Sequence, residues 1–402
     1  MIGLALEGGG AKGAFHMGAT KAFIEEGYKF HGIVGTSIGA INGAVIAQGD
    51  FEKGYNWWTK IDISTIFNLE KIHMQKFMNR NIDKETLIYI LSAMKNIIEN
   101  RGIDTKKMRE ILNNIIDEDK LRKSKIDFGM VTVSISDFKP LNLYKEDIPN
   151  GKMINYLMAS ANFPIFRIEP LDDRYYIDGG FYDNCPINLL VKKKYTEIIA
   201  IRTLGIGPVQ KVKNKNVKIV NIIPSESLGR VLNFDNDLIQ TNLKMGYCDA
   251  MRFIKKLKGR KYYIESIYTE KTFFYKLSSM SKNTIDNLSI IMKLPSMDPL
   301  KLLFERILPD ISKIINIQAL ASYEDIVIGI LEYMAEKRQI ERYKVYTLDD
   351  FIKVIKNVNL QKVSDSNKLT LDIIKKIKLT STTYPKEIIL EQIGNELLGV
   401  FE

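Results

Sequence analysis

Hydrophobic and polar positions follow two different rhythms along this chain. Ile2 to Leu6 is a short apolar run that stops at Glu7 and three glycines, the pattern of a buried strand. From Ala14 to Glu26 the apolar residues Phe15, Ala19, Ala22 and Phe23 recur on one side, which predicts a helix with Gly27 as its C-cap. A second strand is predicted over Phe30–Val34 and a second helix over Ile38–Ala47. Strand, helix, strand and helix in this order describe a βαβα start and a largely parallel sheet. Further strands are predicted at Phe128–Ile135, Tyr175–Ile177, Glu197–Thr203 and Val217–Ile223, with a helix from about Lys152 to Ala161.

Between Phe51 and Lys125 the rhythm becomes helical and rich in bulky residues: Trp57, Trp58, Phe67, Met74, Phe77, Met78, Tyr89 and Met94. Connections in α/β units usually run about 2–6 residues, so this stretch, about 51–125, is expected to be a helical insertion able to cover a site. Its aromatics are expected to pack it on the body in preference to touching lipid. After about residue 268 the strand signals fade, and the polar stretch Ser278 to Thr284 is expected as a boundary. Amphipathic helices follow near Leu300–Ile315, Ile317–Lys337, Leu348–Val358, Leu369–Ile377 and Lys386–Leu398, with Thr347 and Asp350 as an N-terminal capping pattern. The expected division is a catalytic domain over 1–277 and a helical carboxyl-terminal region over 278–402.

Length supports that division: the chain has 402 residues, and single cores seldom exceed ~250–300 residues. The chain is 45% hydrophobic and 26% charged, as in globular proteins, with a net charge of +10 that favours anionic partners. Basic clusters at Lys192–Lys194, Lys211–Lys218 and Lys255–Lys261 suit an anionic membrane surface, and a solvated lysine-rich face is the simpler explanation for any one of them. They form no recognisable nucleic-acid module, so nucleic acid is not an expected partner. Cys185 and Cys248 make no disulfide framework or metal spacing, and no signal peptide or membrane span is visible. The expectation is a cytoplasmic protein whose membrane contact is peripheral.

Two glycine-rich stretches bring in chemistry. Gly35-Thr36-Ser37-Ile38-Gly39 reads as a nucleophile elbow, with a serine on a sharp strand-to-helix turn. Gly8-Gly9-Gly10-Ala11-Lys12-Gly13 reads as a loop of free N–H groups suited to negative charge. Gly8, Gly10 and Gly13 also satisfy a dinucleotide fingerprint, but that needs a ribose-binding acid at the end of the second strand, where Gly35-Thr36-Ser37 stands. A P-loop fails because Ala14 and Phe15 follow Gly13. A calcium loop at Asp235-Asn236-Asp237 fails at Ile239, so no metal or other cofactor is expected.

A serine nucleophile needs a base. The histidines are His16, His31 and His73, none after Asp178, which excludes a triad in Ser–acid–His order. His16 stands close behind the glycine loop, but a packed or surface role is the better assignment. A carboxylate must then take the proton directly, and Asp178, at a strand end before Gly179 and Gly180, is the candidate.

These motifs together resemble the patatin-like phospholipases. Gly8 to Gly13, including Lys12, is similar to that family's oxyanion loop, Gly35 to Gly39 to its elbow, and Asp178-Gly179-Gly180 to the block carrying its aspartate. Ala159-Ser160-Ala161-Asn162-Phe163-Pro164 and Asn184 with Pro186 resemble further short blocks, and the likeness spans roughly residues 1–225. It implies a three-layer α/β/α fold around a mostly parallel sheet, and a lipid acyl hydrolase of phospholipase A type acting on a phospholipid or other acyl lipid. It also implies a catalytic Ser37–Asp178 dyad, an oxyanion hole from Gly8, Gly9 and Gly10, and support from Lys12, Gly13, Gly35, Gly39, Gly179 and Gly180. The insertion and the carboxyl-terminal helices are outside that pattern. A rival expectation is a non-catalytic scaffold that binds a protein or membrane partner through those helices.

Overall fold

Alternation within the first strand decides which face of the sheet receives which helix. In the computed structural model, which describes residues 1–61, 102–164, 166–167, 169–317, 321–358 and 386–401, the chain forms two compact units, Met1–Ile254 and Lys255–Glu402. The bulky residues expected between Phe67 and Met94, His73, and the helix expected at Leu369–Ile377 lie outside the described residues.

The first unit runs β1 (Ile2–Leu6), α1 (Ala14–Glu25), β2 (Phe30–Thr36), α2 (Ile38–Ala47), α3 (Phe51–Lys60), α4 (Lys106–Ile115) and α5 (Glu118–Lys123). It continues through β3 (Asp127–Ser134), β4 (Lys139–Tyr144), α6 (Met153–Ser160), β5 (Tyr176–Asp178), α7 (Ile187–Lys192), β6 (Glu197–Ile201), β7 (Lys218–Ile222) and α8 (Asn236–Lys255). Among the described residues the sheet has seven strands in the order β4-β3-β2-β1-β6-β7, with β5 also paired to β3. β1, β2, β3, β6 and β7 are parallel, and β4 and β5 join β3 antiparallel. The sheet is therefore mixed and mostly parallel.

On one face Leu6, Ile33 and Phe128 meet α2, whose Gly43 lets the helix approach them. On the other, Ala5, Val34, Val131 and Ala200 pack with Ile187, Leu189 and Leu190 of α7. Helices thus flank both faces, the three-layer arrangement that the family resemblance implied. β4 was not anticipated: its run Lys-Pro-Leu-Asn-Leu-Tyr is only half-buried, so the apolar signal of a core strand is missing. Asp235-Asn236-Asp237, tested as a metal loop, instead opens α8, where Asp235 Oδ1 accepts from the Leu238 N–H at 3.0 Å.

The second unit holds β8 (Tyr263–Glu265), α9 (Glu270–Ser278), α10 (Lys282–Ile291), α11 (Pro299–Leu302), a π turn over Leu303–Ile307 and α12 (Leu308–Ile314). It ends with α13 (Tyr323–Lys337), β9 (Val345–Thr347), α14 (Leu348–Asn357) and α15 (Lys386–Val400). Its core includes Phe273, Leu303, Ile330, Phe351 and Ile389, all fully buried. The polar stretch Ser278–Thr284 carries the turn between α9 and α10. The parallel pair β8–β9 was not anticipated, since three residues a strand are too few for a periodic signal.

Candidate active site

Two strands that approach from opposite directions build the site. β2 runs parallel to β3 as far as Thr36, opposite Val131, and then turns away at Ser37. β5 enters antiparallel on the next stretch of β3 and places Asp178 opposite Thr132. Because β4 pairs with that stretch on the other edge, β5 extends the edge that β2 leaves, and Ser37 and Asp178 meet there.

Ser37 adopts φ 56° and ψ −128°, a left-handed backbone that costs a serine about 1–3 kcal/mol. Its neighbours make the turn feasible. A Cβ on Gly35 would lie 2.2 Å from the Gly39 carbonyl, and one on Gly39 would lie 2.2 Å from the Leu6 carbonyl oxygen. The turn is also tied from outside: the Ser37 N–H donates to Ser160 Oγ at 3.0 Å, and Ser160 donates to the Val131 carbonyl at 2.6 Å. Thr36 Oγ1 donates to the Asp183 carbonyl at 2.7 Å. The Ser37 side chain caps nothing at the start of α2 and remains available for chemistry.

Asp178 is 5% exposed. Its N–H donates to the Asn162 carbonyl at 3.0 Å, and its Oδ1 accepts from the Gly180 N–H at 2.7 Å. Gly179 lies so close to β3 that a Cβ would stand 2.1 Å from the Val131 carbonyl oxygen. Burial pushes the Asp178 carboxyl up to about 6, against the Ser37 hydroxyl and the Gly180 amide, which favour the charged form. An acid at that value is ionised near neutrality yet basic enough to accept a proton.

The glycine loop is held from three sides. Gly8 donates its N–H to the Asn184 carbonyl at 2.8 Å, and Ala11 donates to the Val231 carbonyl at 2.7 Å. Gly10, at φ 57°, sits where a Cβ would be 2.3 Å from that same carbonyl oxygen. Gly9 and Gly10 line the cavity. Gly8 holds the loop, since its N–H already has an acceptor. Gly13 brings the loop against Ile38, where a Cβ would fall 2.5 Å from that side chain.

Beneath the loop lies a buried network that sequence reasoning missed. Glu7, 1% exposed, accepts from Arg202 Nε and Nη2 at 3.1 Å each and from the N–H groups of Thr203 and Leu204 at 2.7 and 2.9 Å. Thr203 Oγ1 donates to the Gly8 carbonyl. Lys12 Nζ reaches the carbonyls of Thr203 and Leu204 at 3.4 and 3.2 Å, and its partial burial lowers its pKa against the raising effect of Glu7. The available signal was an acid ending one apolar strand and an arginine ending another.

His16 is fully buried beside Asn42, with Nδ1 3.3 Å from Nδ2, and desolvation lowers it to about 3. It is neutral and packed. His31 Nδ1 accepts from the Ile2 N–H at 3.4 Å, at the opposite end of the sheet.

Ser37 and Asp178 open into one cavity of about 160 Å³, with Gly9, Gly10 and Asn184 on its wall. Most of the remaining lining is apolar, including Ile41, Trp57, Leu112, Phe163, Phe166 and Phe181. Trp57 and Leu112 come from α3 and α4, so described helices of the insertion form part of the wall. Trp58 is fully buried and donates Nε1 to Asn42 Oδ1 at 2.9 Å, packing α3 on the body.

Residues 4–191 match the family model described as Patatin-like phospholipase. The chain is 24% identical over 203 residues to the neuropathy target esterase sws of Drosophila melanogaster, a match covering 50% of this chain and 13% of that protein. It is 26% identical over 236 residues to the probable lipid hydrolase 463L of Invertebrate iridescent virus 6, covering 55% of this chain and 78% of the viral protein. The crystal structure of VipD from Legionella pneumophila aligns over 98% of this chain and 91% of its own, at 12% identity and a TM-score of 0.37.

Proposed function

Residues 4–191 belong to the patatin-like phospholipase family, and from that premise we propose that the chain is a serine-dependent lipid acyl hydrolase of phospholipase A type. The observation that carries this reading is the pairing of Ser37, in its left-handed elbow, with Asp178, lifted to about 6, at an apolar cavity. The apolar lining suits an acyl chain, and the two polar side chains supply the chemistry.

Ser37 Oγ attacks the ester carbonyl carbon while Asp178 accepts its proton. The tetrahedral oxyanion takes hydrogen bonds from the N–H groups of Gly9 and Gly10, donors typically worth about 2.7–4 kcal/mol of barrier each. Collapse breaks the ester C–O bond, and Asp178 returns its proton to the departing alcohol oxygen. The carboxylate then takes a proton from water, whose oxygen attacks the acyl-serine. Breakdown of the second tetrahedral intermediate frees the fatty acid and returns the proton to Ser37.

The reading includes a cytoplasmic protein that reaches its lipid at a membrane surface. Among the described residues no helix is long and apolar enough to cross one. Mass spectrometry of products from mixed phospholipid vesicles tests the activity: lysophospholipid and free fatty acid appear with the unaltered protein. Ser37→Ala and Asp178→Asn each lower their release by at least about 10³-fold. Undiminished release by purified Ser37→Ala protein would overturn the mechanism.

A further inference from the structure

The loop from Thr203 to Pro208 combines features that seldom occur together. Leu204 has φ 50°, a left-handed conformation that a branched apolar residue rarely holds. Its side chain is 56% exposed and that of Ile206, two residues on, is 78% exposed. A mobile loop would relax such strain or fold such side chains inward. This one is fastened at several points along its backbone. Glu7 takes the Thr203 and Leu204 N–H groups, and Lys12 takes their carbonyls. Gly205 presses on the Gly8 carbonyl oxygen, where a Cβ would stand at 2.3 Å, and Gly207 on that of Gly180, where a Cβ would stand at 2.1 Å. The Pro208 carbonyl accepts from the Asn184 N–H at 2.7 Å. The two glycines that flank Ile206 are thus seated on the glycine loop and on the Asp178 block, while Leu204 and Ile206 face outward.

Ile206 stands at the mouth of the cavity, with Leu204 two residues before it on the same fastened loop. Ile206 and Phe181 both line it, and Phe181, 51% exposed, stacks on Phe163 with ring centroids 6.2 Å apart. The same stretch has a charge bias. From Ile198 to Ser225 the sequence holds no acidic residue but includes Arg202, Lys211, Lys213, Lys215 and Lys218. Lys211, Lys213, Lys215 and Lys218 are exposed.

We propose that Leu204, Ile206 and Phe181 form a rigid apolar rim that docks the protein on an anionic lipid surface, so that an acyl chain passes from the bilayer into the cavity without crossing water. Strain at Leu204 is then the consequence of holding an apolar side chain outward for the bilayer. Lysines on the same stretch supply attraction to anionic head groups. The route to the cavity rests on the lipid-hydrolase reading, but docking is measurable without turnover.

Full-length Ser37→Ala protein is mixed with vesicles of phosphatidylcholine and phosphatidylglycerol, and bound protein is measured by sedimentation. The expected result is binding that weakens in phosphatidylcholine alone, and that falls about tenfold or more when Leu204→Asn is added. Asparagine tolerates the left-handed backbone, so the melting temperature of that variant is retained or raised. Ile24→Gln, which removes an exposed apolar side chain at the far end of α1, leaves binding as it was. Equal binding with and without Leu204→Asn would overturn the proposal, as would an equal loss with Ile24→Gln. Failure of the parent to bind the anionic vesicles would also overturn it and make a protein surface the occupant of the rim. Absent ester hydrolysis with Leu204-dependent binding would instead defeat the lipid-hydrolase reading and leave docking intact.

Discussion

Helices that open on the site begin differently from those of the second unit. In the second unit α9, α10, α11, α13 and α14 each start with a side-chain cap: Thr269, Ser281, Asp298, Ser322 and Thr347 accept from backbone N–H groups one turn in. Ser322 and Asp325 complete a reciprocal capping box. In the first unit, the helices that open on the site have no such cap: α1 begins after Gly13 and α2 after Ser37. A serine before a helix would ordinarily satisfy the orphan N–H groups. Ser37 instead holds a strained backbone and leaves its hydroxyl to the cavity. Local rules are followed where stability alone is at stake and broken where Ser37 faces the cavity.

The glycines around the site depart from ordinary packing in the same way. Gly35, Gly39, Gly179, Gly205 and Gly207 all sit where a Cβ would meet backbone at 2.1–2.3 Å, whereas Gly399 in α15 has nothing within 4 Å. Gly39→Ala should therefore have the largest effect on folding: about 3 kcal/mol or more of lost stability, read by urea unfolding, with loss of serine labelling. Retained stability and labelling would break the contrast at its strongest point.

Next in size is the effect of Asp178 on stability. Its carboxyl rises from 3.8 to about 6 on folding, so the folded state disfavours the charged form. That unfavourable contribution is absent below about pH 4, grows between the unfolded and folded values, and levels off at roughly 3 kcal/mol above about pH 6. Asp178→Asn should unfold at higher urea than the parent near neutral pH, with the difference closing in acid. Asp183, also lifted to about 6 by burial, titrates in both proteins and cancels. No gain at neutral pH would contradict the claim that this acid is held at the expense of stability.

Ser322→Ala sharpens the comparison from the other side. It should cost the second unit about 1 kcal/mol, the ordinary value of a lost cap, read from the same unfolding curves. A negligible loss would mean that the caps of that unit are decorative.

Much of the face that carries the candidate site was legible in the chain, for a physical reason. Buried parallel strands are short continuous apolar runs, and tight turns at their ends need glycine, so β1, β2, Ser37 and Asp178 announce themselves. The supports do not. Ser160 reaches the Ser37 amide across 123 positions, and Arg202 reaches Glu7 across 195. Neither pair has a periodicity to reveal it. β4 escaped because a half-buried strand containing Pro140 lacks a core pattern, and β8 and β9 because they are short. The helix expected over Ile317–Lys337 starts instead at Tyr323, where the Ser322 cap fixes it.

The central claim is that Asp178, acting directly on Ser37, is the base. It is tested most directly by the rate at which a fluorophosphonate labels Ser37 as a function of pH. The account predicts a rate that rises through about pH 6, following ionisation of Asp178, and that collapses at every pH in Asp178→Asn protein. Labelling of that variant at the parent rate, with the same pH profile, would contradict it.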